Sequence, residues 1–386
     1  MTPFSFDLIA TSPGTEARRG RITTKSGSIE TPVFMPVGTQ ATVKTLDPLE
    51  VEATGAEIIL GNTYHLMLRP GVDVIEEAGG LQPFMRWNRS ILTDSGGFQI
   101  FSLAQQAKVR EEGVTFRSHI DGSARVMTPE SVVDLQVRYG SDIMMPLDHL
   151  IGLPAKPRKI VDATARTRRW LERSIAAWHD HPVEVKGALF GICQGGMDVE
   201  LRAEEARFLA QSDVAGSAIG GLSVGEPKDV MNAVLEVTCP LLPVDRPRYL
   251  MGVGSPEDLW NAVARGVDMF DCVLPTRLAR NGSLFTPAGR IDILKAEFKH
   301  QHLPVDDTCD CTTCARFTRA YIHHLFRARE LLGLRLASLH NIRFLVRQVE
   351  EMREAIEAGT FATAHRDFAA RYKPAGPSDR LKAVVA

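Results

Sequence analysis

The stretch "SILTDSGGFQI", residues 90–100, joins a short apolar run to an acid: Ile91, Leu92 and the β-branched Thr93 are followed at once by Asp94, and Gly96 and Gly97 open the next segment. A strand buried on both faces needs near-continuous apolar character over four to eight residues. An acid directly after such a run sits at the strand's C-terminal end. The pattern recurs in "TPVFMPVGT" (31–39), "AEIILGNT" (56–63), "SDIMMPLDH" (141–149), "ALFGICQGG" (188–196), "SAIGGLSVG" (217–225), "RYLMGVG" (248–254) and "VDMFDCVLPT" (267–276). Helix-like segments lie between most runs. "TPESVVDLQVRYG" has a Thr cap, and "SPEDLWNAVARG" has Ser before Pro at a helix start. Eight buried strands alternating with helices over about 250 residues predict an α/β protein, a (β/α)8 TIM barrel. The rival, an open doubly wound sheet, lacks support: no G-x-G-x-x-G follows the first strand, and there is no P-loop.

In such a barrel the C-terminal strand ends converge on one mouth. Asp94, Asp148, Gln194, the Gly220–Gly221 pair and Asp271 all follow apolar runs. One acid there could be a helix cap; three carboxylates, an amide and a glycine pair at one end of one layer read as a site.

The 386 residues are 44% hydrophobic and 24% charged, an ordinary globular balance. The start, "MTPFSFDLIATSPGTEARRG", lacks a basic stretch leading into a long apolar run, and no apolar run approaches the ~20 residues that cross a bilayer. A cytoplasmic protein with no membrane partner is expected. The net charge of −2 is uneven: residues 277–347 hold twelve Lys and Arg against six Asp and Glu. A basic C-terminal third suits a polyanion such as nucleic acid, although a solvated charged face would read the same way.

The expected domains are a barrel with an N-terminal β-hairpin cap (1–276), a zinc-binding subdomain (277–350), and a helix and tail closing the barrel (351–386). "FSFDLIAT" and "RRGRITTKSGSIETP" supply the hairpin. "CDCTTC", 309–314, sets Cys309, Cys311 and Cys314 at C-x-C-x2-C spacing. A reducing compartment disfavours a disulfide knot, and a redox CxxC expects a thioredoxin-like context that is missing. Zinc needs a fourth ligand. His340, in a helical pattern twenty-six residues beyond Cys314, competes with His300, His302, His323 and His324. Three thiolates and one imidazole close the coordination shell, so one structural Zn2+ per subunit is expected. "LLGLRL" (331–336) could supply the turn that brings His340 back to the cysteines.

"DSGGFQIFSL", "FGICQGG", "AIGGLSVGEP", "RYLMGVGSPEDL", "FDCVLPTRLARNG" and "CDCTTC…HN" together resemble the motifs of tRNA-guanine transglycosylase, in order and over essentially the whole chain; "GNTYHLMLRPG" (61–71) is similar too. The resemblance implies exchange of guanine at the wobble position of tRNA for a 7-deazaguanine, on the route to queuosine. By that resemblance Asp271 is the nucleophile that forms a covalent ribosyl intermediate. Asp94 is the general acid/base that protonates departing guanine and deprotonates the incoming base. The base pocket is implied at Asp94, Ser95, Gly96, Gly97, Phe98, Asp148, Gln194, Gly221, Leu222 and Met251. Asp148 accepts the imino and amino N–H groups of guanine, and Gln194 and the Gly221 backbone N–H donate to its carbonyl. Leu222 offers its own carbonyl to a substituent on the deaza carbon, while Phe98 and Met251 sandwich the ring. RNA contacts are implied at Gly252, Val253, Gly254, Ser255, Pro256, Glu257 and Asp258, and at Thr276, Arg277, Leu278, Ala279 and Arg280. The metal ligands are implied to be Cys309, Cys311, Cys314 and His340. A homodimer is implied as well, with "YIHHLFRARELLG" (321–333) as a candidate contact.

Bacterial members of the family read Asp-Glu-Cys where this chain reads "DHL", 148–150, and eukaryotic members have Gly where this chain has Val224. The expected free base is 7-aminomethyl-7-deazaguanine, with queuine salvage as the alternative. A non-catalytic RNA-binding subunit would be expected to lack the Asp94–Asp271 pair. A zinc hydrolase would need an open metal position among the strand ends. A DNA-modifying relative on the same barrel is the remaining rival.

Overall fold

The computed structural model of the chain describes residues 4–103, 105–152 and 154–374. The first three strands, β1 (Ser5–Thr11), β2 (Arg18–Thr24) and β3 (Gly27–Thr31), form an antiparallel sheet in that order. The expected hairpin is thus β2–β3, with β1 added to its free edge. Ile22 and Ile29 turn inward and join the cluster that fills the barrel, and Phe4 meets Phe190 edge to face, so the small sheet plugs one end of the barrel.

The apolar runs become β4 (Val33–Pro36), β5 (Ile58–Asn62) and β6 (Ser90–Asp94). After β6 comes an insertion with its own antiparallel sheet, β7 (Gln105–Val109), β8 (Val114–Arg117) and β9 (Ala124–Met127). The barrel resumes with β10 (Ile143–Met144), β11 (Ala188–Cys193), β12 (Gly216–Ile219), β13 (Arg248–Leu250) and β14 (Met269–Cys272). All eight barrel strands pair in parallel, in the order β4-β14-β13-β12-β11-β10-β6-β5. A parallel bridge from Val37 to Leu60 brings the two edge strands, β4 and β5, together. Met35, Leu60, Leu92, Ile143, Phe190, Ala218, Tyr249 and Met269 fill the interior, each at most 3% exposed.

Helix starts follow the sequence signals. Thr128 caps Pro129–Arg138, with Ser131 completing the capping box, and Ser255 caps Pro256–Val263. Beyond the barrel, β15 (Ser283–Thr286) and β16 (Gly289–Asp292) form a hairpin. Helix Arg319–Arg327 then turns into the long helix Leu331–Glu357. The turn lies at Arg329, whose φ is 58°, and not at "LLGLRL", which is helical. Gly333 sits inside that helix because it packs against Leu325, where an added Cβ would come within 3.0 Å. The same helix spans residue 350. The tail from residue 375, expected to help close the barrel, lies outside the described residues. No helix among the described residues is long and apolar enough to cross a membrane.

Candidate active site

The C-terminal ends of β6, β10, β11, β12, β13 and β14 bring the sequence-selected polar residues to one mouth. Asp94 ends β6 and is 9% exposed. Asn62, at the end of the neighbouring β5, donates through Nδ2 to one carboxylate oxygen of Asp94. The backbone N–H groups of Thr63 and Gly96 donate to the other, at 3.0 and 3.2 Å. Burial pushes the Asp94 carboxyl up to about 7, against the hydrogen bonds from Asn62, Thr63 and Gln99, and the nearby charge of Asp271 adds to the rise.

Asp271 lies near the end of β14. The Tyr249 hydroxyl donates to its Oδ1 at 2.6 Å, and the Gly252 N–H donates to the same oxygen at 2.7 Å. Burial raises its pKa, while these two donors hold the carboxylate form. One oxygen is therefore fixed by two donors.

Asp148 is 9% exposed. It accepts from Gln194 Nε2 at 2.8 Å and from Ser95 Oγ at 3.2 Å, and burial raises its pKa. Gly97 is required beside it, because a Cβ there would lie 2.6 Å from Asp148 Oδ1. The Gln194 carboxamide lies against Gly221, which has φ +68° and whose added Cβ would sit 2.5 Å from Gln194 Oε1. Phe98 is 54% exposed at the start of helix Gly97–Leu103, and Met251 is half-buried. Leu222 is buried, and the backbone N–H groups of Ser223 and Val224 just after it both donate to the Glu226 carboxylate. A cavity of about 530 Å³ opens beside Asp148, lined in part by Gly97, Phe101, His149 and Leu150.

Four of these side chains escaped sequence reasoning, Asn62, Gln99, Glu226 and Tyr249, and so did Arg202, which donates to the Gly220 carbonyl beside Gly221 at 2.8 Å. Tyr249 carried a usable signal, since its hydroxyl is the one polar group inside the run "YLM". Arg202 carried none. In helix Val199–Gln211, among several glutamates, it reads as a solvated charge, yet it is 0% exposed.

The two segments expected to contact RNA divide. Val253, Gly254, Pro256, Asp258, Thr276, Leu278 and Ala279 are buried, so the accessible surface comes from Gly252, Ser255, Glu257, Arg277 and Arg280. One guanidinium nitrogen of Arg280 is buried without a hydrogen-bond partner, and burial together with the Arg277 charge lowers the Arg280 pKa.

Away from the mouth, Cys309, Cys311, Cys314 and His340 meet with their ligand atoms all within 4.8 Å of one another. His340 Nδ1 lies 3.3 Å from Cys314 Sγ and 3.7 Å from Cys311 Sγ. Its other nitrogen, Nε2, donates to the Phe285 carbonyl at 2.8 Å, which fixes the tautomer that turns Nδ1 toward the sulfurs. Four donors bonded to one zinc at about 2.0–2.3 Å must lie roughly 3.3–3.8 Å apart, so the cluster suits a structural Zn2+. Among the five histidines considered, only His340 joins the cysteines; His323 is spent on the Ile293 carbonyl at 2.7 Å.

The family model described as queuine tRNA-ribosyltransferase matches residues 12–374. The chain belongs to that family. It is 58% identical over 358 residues to a queuine tRNA-ribosyltransferase of Herpetosiphon aurantiacus, covering 93% of this chain and 90% of the relative. The relative of that name from Symbiobacterium thermophilum is 55% identical over 375 residues, 97% of this chain and 93% of its own. The one from Bacillus subtilis is 52% identical over 370 residues, 96% of each. Parallel barrels of this architecture carry their active sites at the C-terminal strand ends.

Proposed function

We propose that the chain is a tRNA-guanine transglycosylase that replaces guanine at the anticodon wobble position with a 7-deazaguanine. The observation that carries this is the pairing, at one mouth, of a buried Asp94 poised near neutral pH with an Asp271 whose one oxygen is already held by two donors. Asp271 attacks the anomeric carbon of the ribose with its other oxygen. The bond to guanine breaks, and Asp94 delivers a proton to the departing base. The incoming base returns its proton to Asp94 and attacks the ribosyl–enzyme ester, which restores Asp271 and gives retention.

Asp148 binds the imino and amino N–H groups of the base. Gln194 Nε2 has a second hydrogen free for the carbonyl, beside the Gly221 N–H. Phe98 and Met251 stack on the ring. Arg277 and Arg280, both partly exposed just after Asp271, hold phosphates beside the extruded nucleotide. Cys309, Cys311, Cys314 and His340 would hold a zinc ion, which would supply rigidity and not chemistry. The protein acts in the cytoplasm.

The free base is 7-aminomethyl-7-deazaguanine. His149 accepts a hydrogen bond from Arg166 at 3.1 Å, and its pKa is lowered to about 4 by burial and that cation, so it stands neutral where bacterial relatives carry Glu. The exposed Tyr321 (40%), stacked on the half-buried Phe317 at 5.6 Å, and the exposed Leu331 (77%) support a homodimer; the solution mass should be twice 42.5 kDa.

The test is incorporation of radiolabelled guanine into unmodified tRNA with guanine at the wobble position. Label in the tRNA is expected, and no incorporation would leave a binding subunit as the reading. Competition between the two free bases in the same assay decides between the aminomethyl base and queuine salvage.

The Asp94 shift predicts a pH dependence. The acid form holds below about 7, so guanine release should slow as pH rises through that value. Asn62→Ala removes a donor that favours the carboxylate, so this limb should move to higher pH; a limb moving lower would refute the assignment. The same raised pKa means that the unfolded chain releases its proton first. Stability should therefore fall as pH rises from the ordinary carboxylate range through about 7.

A further inference from the structure

Arg202 is a buried cation that the reaction described above does not use. Its guanidinium donates to three backbone carbonyls: Nε to Gly196 at 2.9 Å, Nη1 to Cys193 at 2.8 Å and Nη2 to Gly220 at 2.8 Å. These carbonyls belong to the ends of β11 and β12, on either side of Gln194 and Gly221. Glu205 and Glu226 act on Arg202 only through space, and no carboxylate pairs with it among the described residues. A buried charge without an ion-pair partner is costly, and three oriented carbonyls offset that cost only while both strand ends keep this shape.

The third contact has a direct chemical consequence. The Gly220 carbonyl and the Gly221 N–H belong to the same peptide unit. A cation donating to the carbonyl draws electron density toward the oxygen and makes the N–H a stronger donor. That N–H is the one assigned above to the carbonyl of the base. Charge developing on the departing guanine spreads to this same oxygen, where a preorganised donor is worth most.

We infer that Arg202 is a positioning residue that strengthens the Gly221 N–H and fixes it beside Gln194, and so sets the site's demand for a 6-oxo group on the purine. The inference rests on the base-binding reading of Gln194 and Gly221. Arg202→Lys keeps a cation but cannot fork to three carbonyls. The probes are free guanine and 2-aminopurine, which lacks the 6-oxo group and with it the adjacent imino N–H, as competitors of base exchange; the change of each base's inhibition between wild type and variant isolates the 6-oxo contact, with thermal melting as the check on folding.

Wild type should prefer guanine; equal inhibition by the two bases would sink the base-binding reading and this inference with it. In Arg202→Lys the inhibition constant for guanine should rise about 10-fold, while that for 2-aminopurine should stay within about twofold. Equal weakening of both, or of neither, in a variant that melts like wild type would overturn the inference and leave the base-binding reading standing. If the variant does not fold, wild type with isotope-labelled arginine and glycine gives the answer by nuclear magnetic resonance. Guanine, and not 2-aminopurine, should shift both the Gly221 N–H and the Arg202 guanidinium signals; a shift of Gly221 alone would overturn the coupling.

Discussion

Asp271→Asn should reduce guanine exchange by about 10⁴-fold or more, the scale seen when a covalent nucleophile is removed. The amide is nearly isosteric and can still accept from the Tyr249 hydroxyl, which now lies 2.6 Å from Oδ1. Folding and tRNA binding should therefore persist, and the loss should fall on the chemical step. A denaturing gel makes the distinction visible. Wild type incubated with tRNA should leave a protein–RNA adduct that survives denaturation, and Asp271→Asn should leave none. Incorporation of labelled guanine by the variant at a rate near wild type would place the covalent step on another carboxylate, with Asp94 the first to test.

His340→Ala should have the largest effect on stability. It removes one of the four buried ligands and the Nε2–H that donates to the Phe285 carbonyl at 2.8 Å. Structural zinc sites contribute to folding directly. A loss of about 4 kcal/mol, or roughly 5 °C in melting temperature, is expected for a chain of this size, with metal content falling well below one per chain. The damage should reach the mouth. The next residue, Asn341, donates to the carbonyls of Pro275 and Ser283, both at 3.0 Å, and accepts from the Phe285 N–H at 3.0 Å. It thereby holds helix Leu274–Arg280, which carries Arg277 and Arg280, just after Asp271. Chelation should likewise remove activity slowly and in step with unfolding. Rapid loss that metal restores at once would mean that the ion takes part in the chemistry, and full metal content in the variant would mean that His340 is not a ligand.

The barrel was legible because strands buried on both faces leave a mark in composition, and all eight runs became its staves. The insertion sheet β7–β9 was not legible. Its strands are short, and β8, "VTFR", alternates buried and exposed residues over only four positions, too few to separate strand from loop. The break before the long helix was misplaced for a related reason. Gly333 looks like a turn residue, but packing against Leu325 explains it, whereas Arg329 adopts the left-handed turn with no local signal.

The sequence by itself determined which residues end the strands, and with them Asp94, Asp148, Gln194 and Asp271, because a barrel with parallel strands sends every such end to one face. It also determined the cysteine spacing of the metal cluster. Only the tertiary structure decided which histidine completes that cluster, which oxygen of Asp271 is already held, and that Arg202 lies buried between two strand ends. Each of these depends on groups brought together from distant parts of the chain. Spacing along a sequence fixes which face or end a residue occupies, but hydrogen-bond partners and burial follow from distances in space.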